Sequence, residues 1–410
     1  MFPGLSMHPT ILSAVPHQGP CSLQKPPSSP TMRGDTPTSQ ASTPTHKSKP
    51  GKRYARRYRS SRIRLTACLR SHQVTDAVHA KGSYIFLQLW ALGRIADVGF
   101  LEKQDPPIPY VSASSVVLTG RPKAPRSLTE VEIKDYIAAY ARAASNAVHG
   151  AGFDGVEIHG ANGYLPDQFL QTTSNKRTDQ WGGDEHGRTR FVREIIDAIV
   201  GAVGQDRVGI RISPWSAYQG EVLALMGMLL CSFMCFPGMG MPDPRPTFAY
   251  LVTALRDKHP KLAYLHVIEP RVAGDRSTGP SDVDVPNQNE NNDFLREIWN
   301  GGEGSEERAF ISAGGYTRET ALRTAESMGG LIAFGRLYIS NVSVPILSFS
   351  SSVLICPLDD QPDLPVRLRE NIPLTPGDRS KYYLGGNLTP FGYNDWPFAD
   401  GSVREIDGKL

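Results

Sequence analysis

Acidic residues are almost missing from the first 75 positions of this 410-residue chain, where Asp35 stands alone against twelve Lys and Arg. Apolar periodicity is missing there too. Residues 1 to about 50 are rich in Pro, Ser and Thr, so they cannot bury enough surface to offset the entropy of ordering and are expected to be disordered. The run KRYARRYRSSRIRLTACLR from Lys52 to Arg70 interleaves Tyr with basic residues. It reads as a solvated tail, with an RNA or membrane patch or an Arg-rich transit segment as the sharper alternatives. Beyond position 75 lie 32 of the 44 basic and 40 of the 41 acidic side chains, a mildly acidic body that argues against a nucleic-acid partner.

Cysteine is scarce as well. Five irregularly placed thiols make no disulfide framework, which leaves a reducing compartment, the cytoplasm, as the expectation. No apolar stretch follows Met1 as a signal peptide requires. The apolar run from Val222 to Phe236 falls short of the roughly 20 residues of a membrane helix and is interrupted by Gly227 and Ser232, so no membrane partner is expected. Nor is a metal: Cys231 and Cys235 form one isolated pair with no His nearby, and Glu157 is expected to face away from His159.

From His72 onward, strand and helix patterns alternate. Val74–Ala80 ends a helix, and Tyr84–Trp90 (YIFLQLW) is an apolar strand whose polar exception is Gln88. A helix begins after Thr129, with Glu132 completing a capping box, and stops at Gly150 in a left-handed conformation. Strands follow at Gly155–His159, Arg207–Ile212, Ala263–Ile268, Ala309–Ala313 and Leu331–Phe334, separated by helices at Arg190–Val203, Phe248–Lys258, Phe294–Asn300 and from Thr317 to about Ser327. Six strands alternating with helices at these spacings predict parallel β with right-handed crossovers.

In a parallel α/β barrel the chemistry sits at the carboxyl ends of the strands. Those ends offer Gln88, then His159, Asn162 and Tyr164, then Arg211, Gly314-Gly315 and Gly335-Arg336. His159 and Asn162, three residues apart across a turn, can both donate to one oxygen, which polarises a carbonyl and makes its conjugated β-carbon a better hydride acceptor. Tyr164 is then placed as a general acid. Two late glycine-bearing ends with an Arg suit a phosphate, and Gln88 and Arg211 would suit the planar ring of a flavin. Each has a plainer reading: Gln88 and His159 satisfied by backbone groups, Tyr164 as packing, the glycines as a turn, and Arg211 paired with a carboxylate such as Glu269.

At these residues the sequence resembles the Old Yellow Enzyme family of flavin-dependent ene-reductases, in a fungal flavour. The run VEIHGANGYLPDQFLQTTSNKRTDQWGG carries the resemblance, with YIFLQLWALGR, VGIRISP, FISAGGYTRETA and IAFGRLYISN in support, over His72 to about Phe398. It implies an FMN-binding TIM barrel that takes a hydride from NADPH or NADH and reduces the C=C bond of an α,β-unsaturated carbonyl compound by a ping-pong route. The small-molecule enone is the expected partner, and the protein a monomer or homodimer. By matching position Gln88, Arg211, Gly314, Gly315, Gly335 and Arg336 resemble the FMN contacts, and His159 and Asn162 the pair that holds the substrate carbonyl and nicotinamide. Tyr164 resembles the proton donor, and Tyr383 the aromatic lining the substrate pocket.

The departures divide the chain into an unmatched tail at 1–71 and a barrel domain at 72–410, itself broken by unmatched insertions at about 221–237 and 342–361. The family's first two βα units have no visible counterpart, so the expected barrel is incomplete, with an exposed edge at its first strand. The two insertions read as retained introns and the tail as a mis-specified first exon. The alternative to an active ene-reductase is therefore an inactive or unstable barrel remnant.

Overall fold

A computed structural model of the chain describes residues 5–12, 72–217, 239–272, 290–302, 308–341, 363–378 and 396. It begins with strand β1 (Leu5–Leu12) and a helix α1 over residues 72–79, then strand β2 (Tyr84–Ala91), a short helix α2 (Val98–Glu102) and a two-stranded pair β3 (Val111–Ser112) and β4 (Arg126–Ser127). Helix α3 (Glu130–Ser145), strand β5 (Gly155–Gly160), and helices α4 (Leu165–Leu170) and α5 (Glu185–Val203) follow. The alternation continues through β6 (Val208–Ile212), α6 (Arg245–Lys258), β7 (Tyr264–Ile268), α7 (Asp293–Asn300), β8 (Ala309–Ala313), α8 (Arg318–Met328) and β9 (Leu331–Ala333). Helices α9 (Arg336–Ser340) and α10 (Asp363–Glu370) come last.

The main sheet runs β1-β2-β5-β6-β7-β8-β9. Every neighbouring pair from β2 to β9 is parallel, so the six strands expected from the sequence are present in the expected order. Strand β1 was not expected. It pairs antiparallel with β2 from Leu5↔Ala91 to Leu12↔Tyr84, which corrects the disorder expected of residues 5–12 and the exposed edge assigned to β2; the rest of the segment to residue 71 lies outside the described residues. The unpaired N–H and C=O groups of an open edge offer a ready template for any extended segment, and Pro9, which has no N–H to give, is tolerated because β1 is itself an edge strand. Among the described residues the sheet does not close from β9 back to β1.

Local chemistry accounts for the element boundaries. The Thr129 side chain accepts the Glu132 N–H while Glu132 accepts the Thr129 N–H at 2.9 Å, the reciprocal cap read from the sequence. The stop after α3 differs from expectation: a wider five-residue turn carries the chain through Gly150, and the left-handed residue is Gly152 with φ +75°. Asp184 caps α5 by accepting the Gly187 N–H at 2.8 Å. Along α5 Phe191, Ile195, Ile196, Ile199 and Val203 recur at helical spacing and are buried, together with Val156, Ile158, Val208, Ile210 and Leu265 of the sheet, in one continuous core. Phe191 lies 4.3 Å from Phe169 between ring centroids, and burying such a ring contributes about 2–3 kcal/mol.

The opposite face of the sheet has its own floor, where Phe86, Tyr264 and Ile311 form a separate buried cluster. Gly209 is required there, because a Cβ at that position would stand 2.3 Å from the Tyr264 ring. Above this floor, towards the strand ends, the inner face turns polar.

Candidate active site

Strand register brings the inner polar residues side by side. Gln88 of β2 is opposite Glu157 of β5, His159 opposite Arg211 of β6, and Arg211 opposite His266 of β7. Glu157 is fully buried, takes the Gln88 Nε2–H on Oε1 and meets His266 Nδ1 through Oε2 at 2.8 Å. This corrects the expectation that Glu157 faces away from His159: residues two apart on a strand share a face, and 157 and 159 are two apart. The Arg211 charge acts on this same Glu157 carboxylate, and Glu269 accepts a hydrogen bond from the Tyr316 hydroxyl.

Burial alone would raise the Glu157 carboxyl, but the hydrogen bond from His266, the Arg211 charge and the Gln88 amide outweigh it and hold it below the ordinary carboxylate range. Burial keeps the His266 imidazole below its ordinary range. The pair is therefore a carboxylate accepting an N–H from a neutral ring, and the ring's other nitrogen, Nε2, is buried with no hydrogen-bond partner among the described residues.

At the end of β5 the chain enters a tight turn and then α4. Asn162 sits at φ +55° and Gly163 at +76°, and the Asn162 N–H donates to Ser213 Oγ at 2.8 Å. Gly163 is gripped on both sides: its N–H donates to Asp167 Oδ2 at 2.8 Å, and its carbonyl accepts from Gln168 Nε2 at 2.7 Å. Gln168 also donates to the Leu92 carbonyl and accepts from the Arg94 N–H and the Ser112 hydroxyl, tying the turn to the segment after β2 and to β3.

The turn presents a ring cluster. His159 and Tyr164 lie 4.5 Å apart between centroids in an edge-on arrangement, Trp90 lies 4.6 Å from Tyr164, and Trp90 stacks on His159 at 6.0 Å. Among the described residues the buried Asn162 Oδ1 has no hydrogen-bond partner. On the far side of the sheet, Ala313↔Ala333 pairing sets the ends of β8 and β9 next to each other, so Gly314, Gly315, Gly335 and Arg336 share one region of the rim. Gly314 has φ +135°, and its carbonyl accepts from Arg271 Nε at 2.8 Å. A Cβ on Gly314 would come within 3.0 Å of Val272 Cγ2 and 3.1 Å of Glu269 Cβ.

The sequence model of the NADH:flavin oxidoreductase / NADH oxidase family matches residues 39–346. The chain belongs to that family. The match starts at residue 39, inside the segment 1–71 for which no counterpart was expected. Among curated relatives, an NADP-dependent oxidoreductase of Aspergillus flavus is 42% identical over 347 residues, covering 82% of this chain and 78% of the relative. A protein of Claviceps purpurea named as a probable inactive dehydrogenase is 40% identical over 340 residues, 82% of this chain and 76% of its own. Among solved structures, the Old Yellow Enzyme from Pichia sp. AKU4542 superposes with a TM-score of 0.63 at 30% identity, over 84% of this chain and 76% of that one.

For this flavin oxidoreductase FMN is the cofactor and a nicotinamide the reductant, on the TIM-barrel type of fold. The residues present fit FMN. Backbone with no Cβ at Gly314 and Gly315 beside Gly335-Arg336 suits a phosphate, and a polar inner face carrying Gln88 and Arg211 suits the edge of a planar ring. Among the described residues no helix is long and apolar enough to cross a membrane. Tyr383, both insertions and all five cysteines lie outside the described residues.

Sequence reasoning missed four residues of the site. Trp90 and Glu157 were legible as the i+2 and i−2 neighbours of Gln88 and His159 on the same strand faces. Asp167 and Gln168 had no such signal, because their roles depend on which backbone groups the turn leaves unpaired.

Proposed function

We propose that this flavin oxidoreductase reduces the C=C bond of α,β-unsaturated carbonyl compounds. One observation carries the reading: at the end of β5, His159 and Tyr164 stand with ring centroids 4.5 Å apart beside an Asn162 amide whose buried Oδ1 has no partner among the described residues. Gln88 and Arg211 hold the ring of FMN, and Gly314, Gly315, Gly335 and Arg336 hold its phosphate. FMN held there would supply the hydride chemistry, with NADPH or NADH as the reductant. His159 and Asn162 grip the substrate carbonyl oxygen and draw electron density from the conjugated β-carbon. The same two side chains serve the nicotinamide carboxamide in the other half-reaction, where the unpartnered Asn162 Oδ1 is an acceptor for its amide N–H. Tyr164 gives its phenolic proton to the α-carbon.

Two substrates using one site in turn give ping-pong kinetics. Tyr164→Phe is expected to slow enone turnover by about 10²–10⁴-fold, the range of a general acid, while flavin reduction by the nicotinamide changes little. Equal losses in both half-reactions would remove Tyr164 from the proton-donor role. The second reading, an inactive barrel remnant, is favoured by the sheet's lack of closure among the described residues. The visible absorbance of the purified chain separates the two: a yellow protein supports the enzyme, a colourless one the remnant.

A further inference from the structure

The Glu157 carboxylate has no part in the chemistry above, yet it is fully buried on the inner face and touches a residue that faces the flavin site. We propose that Glu157 sets the polarity of Gln88, presenting its amide to the cofactor as a hydrogen-bond acceptor selective for an imide N–H. The inference rests on the reading of Gln88 as an FMN contact.

A carboxylate can only accept, so the branch of the Gln88 amide turned towards Glu157 must be the NH2 group. The contact Gln88 Nε2 to Glu157 Oε1 has that sense. The carboxylate is held in turn: His266 Nδ1 lies 2.8 Å from its other oxygen, and Arg211 supplies a positive charge on the neighbouring strand. With both oxygens of Glu157 engaged and His266 walled in, the amide has no way to turn over without setting its carbonyl against a carboxylate. The Gln88 Oε1 is thereby turned away from Glu157, and it makes no hydrogen bond with any described residue. Gln88 is itself only half-buried, so its side chain is not sealed within the sheet. The pyrimidine edge of a flavin carries a single N–H between two carbonyls. An acceptor fixed in place matches that N–H and leaves a group unpaired if the proton is replaced. Glu157 is a positioning residue in this scheme: it acts through Gln88 and does not touch the cofactor.

The deflavinated full-length chain is titrated with FMN and with N3-methyl-FMN, following quenching of flavin fluorescence. The wild type is expected to bind FMN at least about tenfold more tightly than the methylated analogue, the scale of one buried hydrogen bond left unmade. Glu157→Gln, in which position 157 can donate as well as accept, is expected to reduce that ratio to less than about threefold. A purely steric rejection of the methyl group, or a purely structural role for Glu157, would leave the ratio unchanged, and an unchanged ratio in Glu157→Gln overturns the inference. Gln88→Met keeps the carboxylate–imidazole pair and removes only the acceptor; it too should lose the discrimination, and its retention is equally fatal should Glu157→Gln fail to fold. A wild type that binds both flavins alike refutes the polarity argument alone. A wild type that binds neither refutes the assignment of the FMN site with it.

Discussion

Asp167 offers the sharpest quantitative test of the geometry. Its side chain is fully buried in the first turn of α4, where it takes the Gly163 N–H and stabilises the turn that bears Asn162 and Tyr164. Burial is the largest influence on its carboxyl. The Gly163 N–H, the Gln171 amide and the Arg94 charge offset burial only in part, and the group is pushed up from 3.8 to about 7. A carboxyl whose folded value exceeds its unfolded value adds stability that is full below the unfolded value and is lost as pH rises through the folded one. At about 1.4 kcal/mol per unit, the stability lost relative to acid pH is about 2 kcal/mol at pH 5 and about 4 kcal/mol at pH 8. Asp167→Asn removes this titration. The amide can still accept from Gly163, but its NH2 then meets the Gln171 Nε2, whose own oxygen is already committed to the Met241 N–H. That mismatch adds a constant penalty of about 1 kcal/mol. The difference in unfolding free energy between variant and wild type, from urea melts at pH 5, 6, 7 and 8, should therefore shift in the variant's favour by about 2–3 kcal/mol across the range. Every other ionisable group cancels in the difference. A gap that stays flat with pH would show that Asp167 does not titrate inside the fold, and the account of the turn would fail with it.

Two further substitutions probe the rim. His159→Ala should weaken binding of a phenolic or enone ligand by about tenfold, measured from the perturbation of the flavin spectrum, through loss of a hydrogen bond to the ligand oxygen. Unchanged affinity would remove His159 from the carbonyl clamp. Gly314→Ala forces a Cβ onto backbone at φ +135° and against Val272 and Glu269. It should lower stability by about 1–3 kcal/mol and, on the proposed assignment of this loop to the phosphate, weaken FMN more than riboflavin; an equal loss for both flavins would place the phosphate elsewhere.

Sequence alone determined the strand order, the caps at Thr129 and Thr317, and the gathering of Gln88, His159, Arg211 and the glycine pairs at one rim. These follow from local rules: apolar period, turn chemistry, and the parallel alternation that sends every strand's carboxyl end the same way. What lay beyond it needed partners from distant segments. The antiparallel β1 depends on an edge that only the assembled sheet exposes, and nothing within LSMHPTIL announces it. The Glu157–His266 pair joins residues 109 positions apart; burial lowers the His266 imidazole and distant partners lower the Glu157 carboxyl against its burial, and both causes exist only in the tertiary fold. Asp167 is the clearest case: as a sequence position it is an unremarked acid in a helix's first turn, and only the packing of α4 beneath the Gly163 turn makes it a buried carboxyl balanced near neutrality.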